Sequence, residues 1–237
     1  MLTVVMPAFN EEDLLEASVR DVVKALWSGT RAFELLVVEN GSTDRTPEIA
    51  EALASELAEV RVRHLPEANY GAALRTGLLE AVGDRVVFFD VDYYDARFLE
   101  DALPLLDAPD NPAVIVVASK RAPGAHDGRP MVRRAATSVF DAILRVSFGI
   151  RTSDTHGMKA LQRDSVLPFV ALCEAGPDLF DTELVLRAER AGLKIAEIPA
   201  SVTEQRPARI PILARVPRTL VGLARLRRGL RGETRQD

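Results

Sequence analysis

Over its first 120 residues the chain alternates short β-rich runs with stretches of helical periodicity, and this rhythm constrains the fold more than any other feature. LTVVMP is followed by a helical pattern over Leu14–Leu26, FELLVVE by Pro47–Leu57, VRVRHL by Ala72–Ala81 and RVVFFD by Phe98–Leu106, before a further run, AVIVVAS. Strand and helix in strict alternation require a mostly parallel sheet covered on both faces by helices, an α/β fold. In such a sheet ligands bind beyond the carboxyl ends of the strands, where loops and helix N-termini gather. The polar clusters FNEE, ENGSTD, EANYG and DVD stand at those ends, so four loops are expected to converge on one edge.

From about Met131 the rhythm stops. A helix is expected over Arg133–Phe148, then a polar loop GIRTSDTHGMK, the segment PDLFDTELVLRAERAG and a short strand KIAEIPA. This reads as the second half of one domain, with RAPGAHDGRP, rich in Gly and Pro, as a mobile loop between the halves. With 237 residues, 47% of them apolar, the chain is long enough to bury one large core. The single Cys173 excludes a disulfide framework and a cysteine-rich metal site, and suits a reducing, cytoplasmic setting. MLTVVMPAFNEED does not read as a secretory signal, and no apolar run approaches the ~20 residues needed to cross a bilayer.

The net charge of −5 is unevenly placed. From Arg206 onward nine Arg face only Glu233 and Asp237, a balance of +7, which leaves −12 on residues 1–205. A cationic tail on an acidic body points to an anionic surface. Leu213, Val216, Leu220, Leu223, Leu226 and Leu230 recur at steps of three and four, with Arg215, Arg218, Arg225 and Arg228 largely opposite and Pro211 and Pro217 limiting the start. That pattern suits a helix lying on an anionic membrane and, equally, one packed on the body with a basic face outward. Nucleic acid is not expected as a partner, because the body lacks the interleaved basic and aromatic surface it requires. Homo-oligomerisation is left open.

Asp90 and Asp92 close the fourth strand-like run, separated by Val91. On an extended backbone both carboxylates would point to one side, where their repulsion is relieved by a hard divalent cation such as Mg²⁺ or Mn²⁺. In ENGSTDRTPEIAEAL, Ser42 or Thr43 can cap a helix beginning near Thr46, while Glu39 and Asn40 at the strand tip can hydrogen-bond a base or ribose. In NYGAALRTGLLEA, Asn69 is a ligand candidate, and Gly71, with other small residues, permits either ligand contact or close packing on the sheet. His156 reads as an incidental loop residue.

In order and approximate spacing, VVMPAFNEE, VVENGSTDRT, NYGAALRTGL, FFDVD, ASKR, DTHGMKALQRD and FDTELVLRAERAGLKIAEIP resemble the family 2 glycosyltransferases, most closely those like polyprenyl-phosphate (dolichyl-phosphate) mannose or glucose synthases. The resemblance covers residues 3–205. It implies a GT-A fold in one domain, 1–205, with a nucleotide-sugar half over about 1–120, an acceptor half over about 121–205, and a basic tail at 206–237. By the same resemblance Pro7, Ala8, Asn10 and Glu11 match the first nucleotide-contacting loop and Glu39 the acidic position near base and ribose. Asp90 and Asp92 match the metal–diphosphate motif, Asp181 the acidic position near the acceptor, and Arg121 the basic residue after the fifth strand.

The implied reaction is inverting transfer of a hexose from GDP-mannose or UDP-glucose to a polyprenyl phosphate. An acceptor hydroxyl, on a glycan or small metabolite, would instead need a general base, for which Asp181 is the candidate. A phosphate acceptor is already ionised and needs cations, for which Arg121, Arg133, Arg134 and Lys159 are available. Two positions depart from the family pattern: Glu39–Asn40 replaces the usual paired aspartates, and Tyr94 stands where an amide or His often helps hold the ion, leaving Asp95 or water to substitute. These departures motivate a rival reading, a non-catalytic nucleotide-sugar-binding or membrane scaffold protein.

Overall fold

The computed structural model describes residues 1–29, 31–174, 176, 178–202 and 212–233. The expected rhythm is present as β1 (Leu2–Ala8), α1 (Leu15–Trp27), β2 (Phe33–Asn40), α2 (Thr46–Glu56), β3 (Val60–Leu65), α3 (Tyr70–Glu80), β4 (Arg85–Phe88), α4 (Arg97–Leu106) and β5 (Ile115–Ser119). The second half adds β6 (His126–Asp127), α5 (Met131–Phe148), β7 (Lys159–Gln162), α6 (Arg163–Val170), α7 (Phe180–Arg190), β8 (Ile195–Pro199), β9 (Ser201–Val202) and α8 (Ile212–Glu233).

Seven strands form one sheet in the order β3-β2-β1-β4-β7-β5-β8. All its pairings are parallel except those of β7, which lies antiparallel between β4 and β5. Sequence reasoning places Lys159 at the end of a loop. Instead, KALQ enters the sheet, its first three residues buried, and the two halves of the chain share one continuous hydrogen-bonded layer.

The alternation of side chains along each strand divides the core in two. Val4, Met6, Leu35 and Val37 face Val19, Val22, Leu53 and Leu99 on one side, while Val5, Leu36 and Val38 face Ala73, Leu74, Leu78 and Leu184 on the other. Gly77 sets the depth of α3, since a Cβ there would lie 2.2 Å from Cγ1 of Val5. Its smallness serves packing of helix on sheet.

RAPGAHDGRP is less free than a mobile loop, because His126–Asp127 pairs with Ser201–Val202 in a small parallel ladder and Asp127 is ion-paired with Arg129 at 2.8 Å. Leu223, Leu226 and Leu230 of α8 are buried in the second core, whereas Val216 and Leu220 are exposed. The C-terminal half of that helix therefore packs on the body. Residues 203–211, including Pro211, and the side chains of Leu213 and Arg215 lie outside the described residues. Among the described residues no helix is long and apolar enough to cross a membrane.

Candidate active site

The carboxyl ends of β1, β2 and β4 meet at one edge of the sheet, where two of the expected loops latch onto each other. Pro7 and Ala8 are the last, buried residues of β1. Asn10 follows with φ +54°, a left-handed backbone conformation that Asn tolerates better than most residues. Its N–H donates to Oγ of Ser42, and its side-chain oxygen accepts from the N–H of Thr43 at 2.8 Å. The Glu11 N–H donates to Oγ1 of Thr46 at 2.7 Å. Ser42 and Thr43 thus fasten the β1 loop. Neither caps α2, whose first N–H is instead accepted by Asp44.

Glu39 and Asn40 are buried at the tip of β2 and turned to internal work. Glu39 accepts the Ser42 N–H at 2.6 Å and meets Nδ1 of His64 at 3.0 Å, while Nε2 of His64 reaches Glu51 at 2.6 Å. Burial works to raise the Glu39 carboxyl, but His64 and Ser42 outweigh it and hold it below the ordinary range. The side-chain oxygen of Asn40 accepts the N–H of Asn69. Asn69, expected to meet a ligand, is the N-cap of α3, its own side-chain oxygen accepting from Ala72 N–H at 2.9 Å. Gly71 is buried in the first turn behind it.

Asp90 and Asp92 lie beyond the end of β4, in a tight turn that differs from the extended geometry expected. Asp90 and Tyr93 exchange both backbone hydrogen bonds at 3.1 Å, so Val91 and Asp92 form the bend. Val91 is buried, and its carbonyl accepts from the hydroxyl of Ser18 on α1 at 2.7 Å, which anchors the turn to the body. Burial pushes the Asp90 carboxyl up to about 6; the Tyr70 hydroxyl, donating at 2.8 Å, and Lys159 oppose the rise, whereas Asp92 and Asp181 add to it. Tyr70 was not visible as a site residue in the sequence. Its position directly after the α3 cap is the signal that places it there.

Asp181 stands in the first turn of α7, where it accepts from the buried ammonium of Lys159 at 2.9 Å. Burial would raise its carboxyl, but Lys159 and then His156 outweigh that, and it is held below the ordinary range. Lys159 also donates to the carbonyl of Gly157. Gly157 has φ +121°, a conformation that favours glycine, and a Cβ there would lie 3.4 Å from Nζ of Lys120 and 3.8 Å from Tyr93. Among the described residues, the Tyr93 hydroxyl is the one buried side-chain polar atom without a hydrogen-bond partner.

On the far side of Gly157 a cavity of about 360 Å³ opens between the β5 end and α5, lined by Lys120, Arg121, Arg129, Arg134 and Asp127 among others. Arg121 faces α5, donating to Asp141 at 2.6 Å and to Ser138. Lys120 is buried against Asp154 at 2.7 Å. The structure therefore brings Asp90, Asp92, Asp181, Lys159 and Tyr70 into one cluster and sets Arg121 and Arg134 in the adjacent basic cavity. Arg133 does not line that cavity. Tyr94 turns away to Asp21 on α1, and Asp95 pairs with Arg97.

A family model described as glycosyl transferase family 2 matches residues 3–168. The chain belongs to glycosyl transferase family 2. Among relatives, it is 34% identical over 206 residues to glycosyltransferase AglD of Haloferax volcanii, covering 84% of this chain and only 32% of that longer protein. It is 33% identical over 200 residues to an uncharacterised glycosyltransferase of Mycobacterium tuberculosis, covering 84% of both. A dolichyl-phosphate hexose transferase of Haloferax volcanii is 28% identical over 206 residues, covering 86% of this chain and 83% of the relative. Similar solved structures include glucosyl-3-phosphoglycerate synthase of Mycobacterium tuberculosis with Mn²⁺, UDP and glucosyl-3-phosphoglycerate, and with Mg²⁺ and UDP. Their TM-scores are 0.69 and 0.68, at 25% identity, covering 95% of this chain and 79% of theirs. This family 2 glycosyltransferase accordingly has a GT-A fold, and the sheet edge bearing Asp90 is its candidate active site.

Proposed function

We propose that this glycosyltransferase moves a hexose, with inversion, from a nucleoside diphosphate sugar to a phosphate acceptor, a polyprenyl phosphate. The observation that carries the proposal is the buried pair of Lys159 and Asp181 beside Asp90. A carboxylate held low by an ammonium at 2.9 Å is a weak base, which suits an acceptor that arrives already ionised. The basic cavity holding Arg121 and Arg134 opens next to that pair and offers charge-assisted donors for a phosphate. Likeness to a dolichyl-phosphate hexose transferase supports the same acceptor class.

Among the described residues no group of three or more His, Cys, Asp or Glu side chains is arranged to hold a metal. Two carboxylates nevertheless fit Mg²⁺ or Mn²⁺ when substrate phosphates and water complete the shell, and Asp90, raised first by burial and then by the neighbouring carboxylates Asp92 and Asp181, would be relieved by a cation there. Asp90 and Asp92 would hold the ion, which supplies charge stabilisation to the departing diphosphate. The protein's own part is to fix the two carboxylates by the Ser18-anchored turn and to keep Tyr70 donating to Asp90. The loops of Asn10, Glu11 and Glu39 cradle the nucleotide, with UDP favoured by the solved relatives' complexes and GDP the competing base. A hydroxyl acceptor bearing an anionic group is the second reading, favoured by the same basic cavity and by the phosphoglycerate complexes of the structural relatives.

Calorimetric titration of UDP-glucose and GDP-mannose with and without Mn²⁺, on the native protein and on Asp92→Ala, tests the donor site. Metal-dependent binding of one nucleotide sugar, lost in the variant, is expected; equal binding by both proteins would overturn the role of Asp92. Transfer to a polyprenyl phosphate by native protein and by Asp181→Asn then separates the acceptors. A hydroxyl acceptor used at a rate that Asp181→Asn abolishes, with no transfer to the lipid phosphate, would overturn the phosphate reading.

A further inference from the structure

Helix α5 carries a face that none of the described elements covers. Its inner side is fixed by buried Leu144 and by Phe140 and Phe148, which pack on the core. Its outer side presents Val132, Val139, Ile143 and Val146, at intervals of seven, four and three, which a helix brings into one line. These are 73%, 61%, 38% and 87% exposed, and exposed Ala135 and Ala142 lie beside them. The line runs about 21 Å along the helix axis. The neighbouring α8, which touches α5 and shares its core, adds exposed Val216, Leu220 and Val221. Single exposed valines are ordinary, whereas four large apolar side chains in one line, with more exposed on the helix packed beside it, mark an interaction surface.

Charge identifies the occupant. Asp141 is the only acid between Met131 and Phe148, and Arg121 pairs with it, whereas Arg134 and Arg145 are exposed on the far side of Ala135 and Ala142, where the apolar face of the helix ends. On α8, Arg225, Arg227 and Arg228 are exposed, Arg218 is exposed and paired with Asp178 at 3.3 Å, and no acid occurs between Ile212 and Gly232. A second copy of this chain on the same face would set arginine against arginine. An anionic bilayer supplies both complements at once, acyl chains for the valines and phosphates for the arginines at the border of the apolar face.

We infer that α5 and α8 together form the surface by which this enzyme lies on an anionic phospholipid bilayer, with the α5 valines at the boundary between head groups and acyl chains. The basic cavity is lined by Met131, Arg134 and Ser138 at the N-terminal end of α5. Docked this way, its mouth sits at the depth of lipid phosphates. That last placement rests on the lipid-phosphate acceptor proposed above; the surface itself does not.

Flotation with vesicles of phosphatidylcholine containing about one-quarter phosphatidylglycerol tests the inference. Native protein should float with these vesicles and far less with phosphatidylcholine alone. Val139→Asp/Val146→Asp should weaken the partition by roughly tenfold or more, because two charges then enter the apolar boundary. Arg145→Gln should weaken it less, and only on anionic vesicles. Unchanged UDP-glucose binding and melting temperature would show that the variants are folded. Vesicle binding by the double variant as tight as native would overturn the inference. So would native protein that ignores vesicles but forms a dimer, by light scattering, which the double substitution dissociates. Native protein that binds vesicles through these valines yet transfers no sugar to polyprenyl phosphate within them would uphold the surface and sink the acceptor reading alone.

Discussion

Replacing Asp90 by Asn should make the metal-free protein more stable at pH 8 while removing metal-dependent donor binding. The magnitude follows from the carboxyl's displacement, from 3.8 when free to about 6 in the fold, caused first by burial and then by Asp92 and Asp181. A rise of about two units corresponds to about 3 kcal/mol at most. Above pH 6 the group is ionised in both folded and unfolded chains, so the folded state bears the whole cost. As pH falls through 6 the folded protein takes up a proton that the unfolded chain does not bind until near pH 4, and the cost recedes. Asn carries no charge and can still accept the Tyr70 hydroxyl. The advantage of Asp90→Asn should therefore be about 2–3 kcal/mol at pH 8, shrink between pH 6 and 4, and vanish below. For a chain of this length that is a rise in Tm of roughly 4–10 °C, read by differential scanning calorimetry with chelator present. Mn²⁺ should raise the Tm of native protein and leave the variant unmoved. A variant no more stable than native at pH 8, or one whose advantage grows with acidity, would refute the reasoning.

Two further outcomes are expected. Lys159→Met leaves the carboxylate of Asp181 buried without its cation and should cost about 3–5 kcal/mol in urea unfolding, most of it recovered by adding Asp181→Asn; equal losses in single and double variants would show that the pair is not coupled. Ser18→Ala removes the buried hydrogen bond to the Val91 carbonyl and should cost about 1–2 kcal/mol while raising KM for the donor, and an unchanged KM would show that the aspartate turn holds itself.

The sheet's first five strands were legible because β1, β2, β4 and β5 are compact apolar runs and β3 alternates, with β1 to β4 each followed by a helical pattern, and the polar carboxyl ends of β1, β2 and β4 do converge. β7 and α6 were not. KALQ carries Lys and Gln at its two ends, and nothing local reveals that its Lys159 finds a carboxylate 22 residues later. RDSVLPFV has Pro168 inside the helix, which reads as a break. Asp90 and Asp92 were identified by their spacing, yet the reason given, an extended backbone, does not hold, because a bend closed by Asp90 and Tyr93 sets their geometry. Asn69 and the pair Ser42–Thr43 show the same limit. Short polar side chains near a helix start can serve a cap, a neighbouring loop or a ligand, and only the partner's position decides among them.

The placement of β7 has a consequence for modularity. β4 and β5 do not touch as strands; each pairs instead with a segment made only after residue 158. A fragment ending near residue 120 would hold five of the strands but leave two central ones with open, apolar edges, the condition under which chains associate wrongly. During synthesis β4 and β5 cannot be joined until Gln162 has emerged from the ribosome, and the sheet is complete only once Pro199 has followed. Residues 1–120 are therefore not a cassette that recombination could lift out and join to a different second half, and any exchange between relatives must carry KALQ with it.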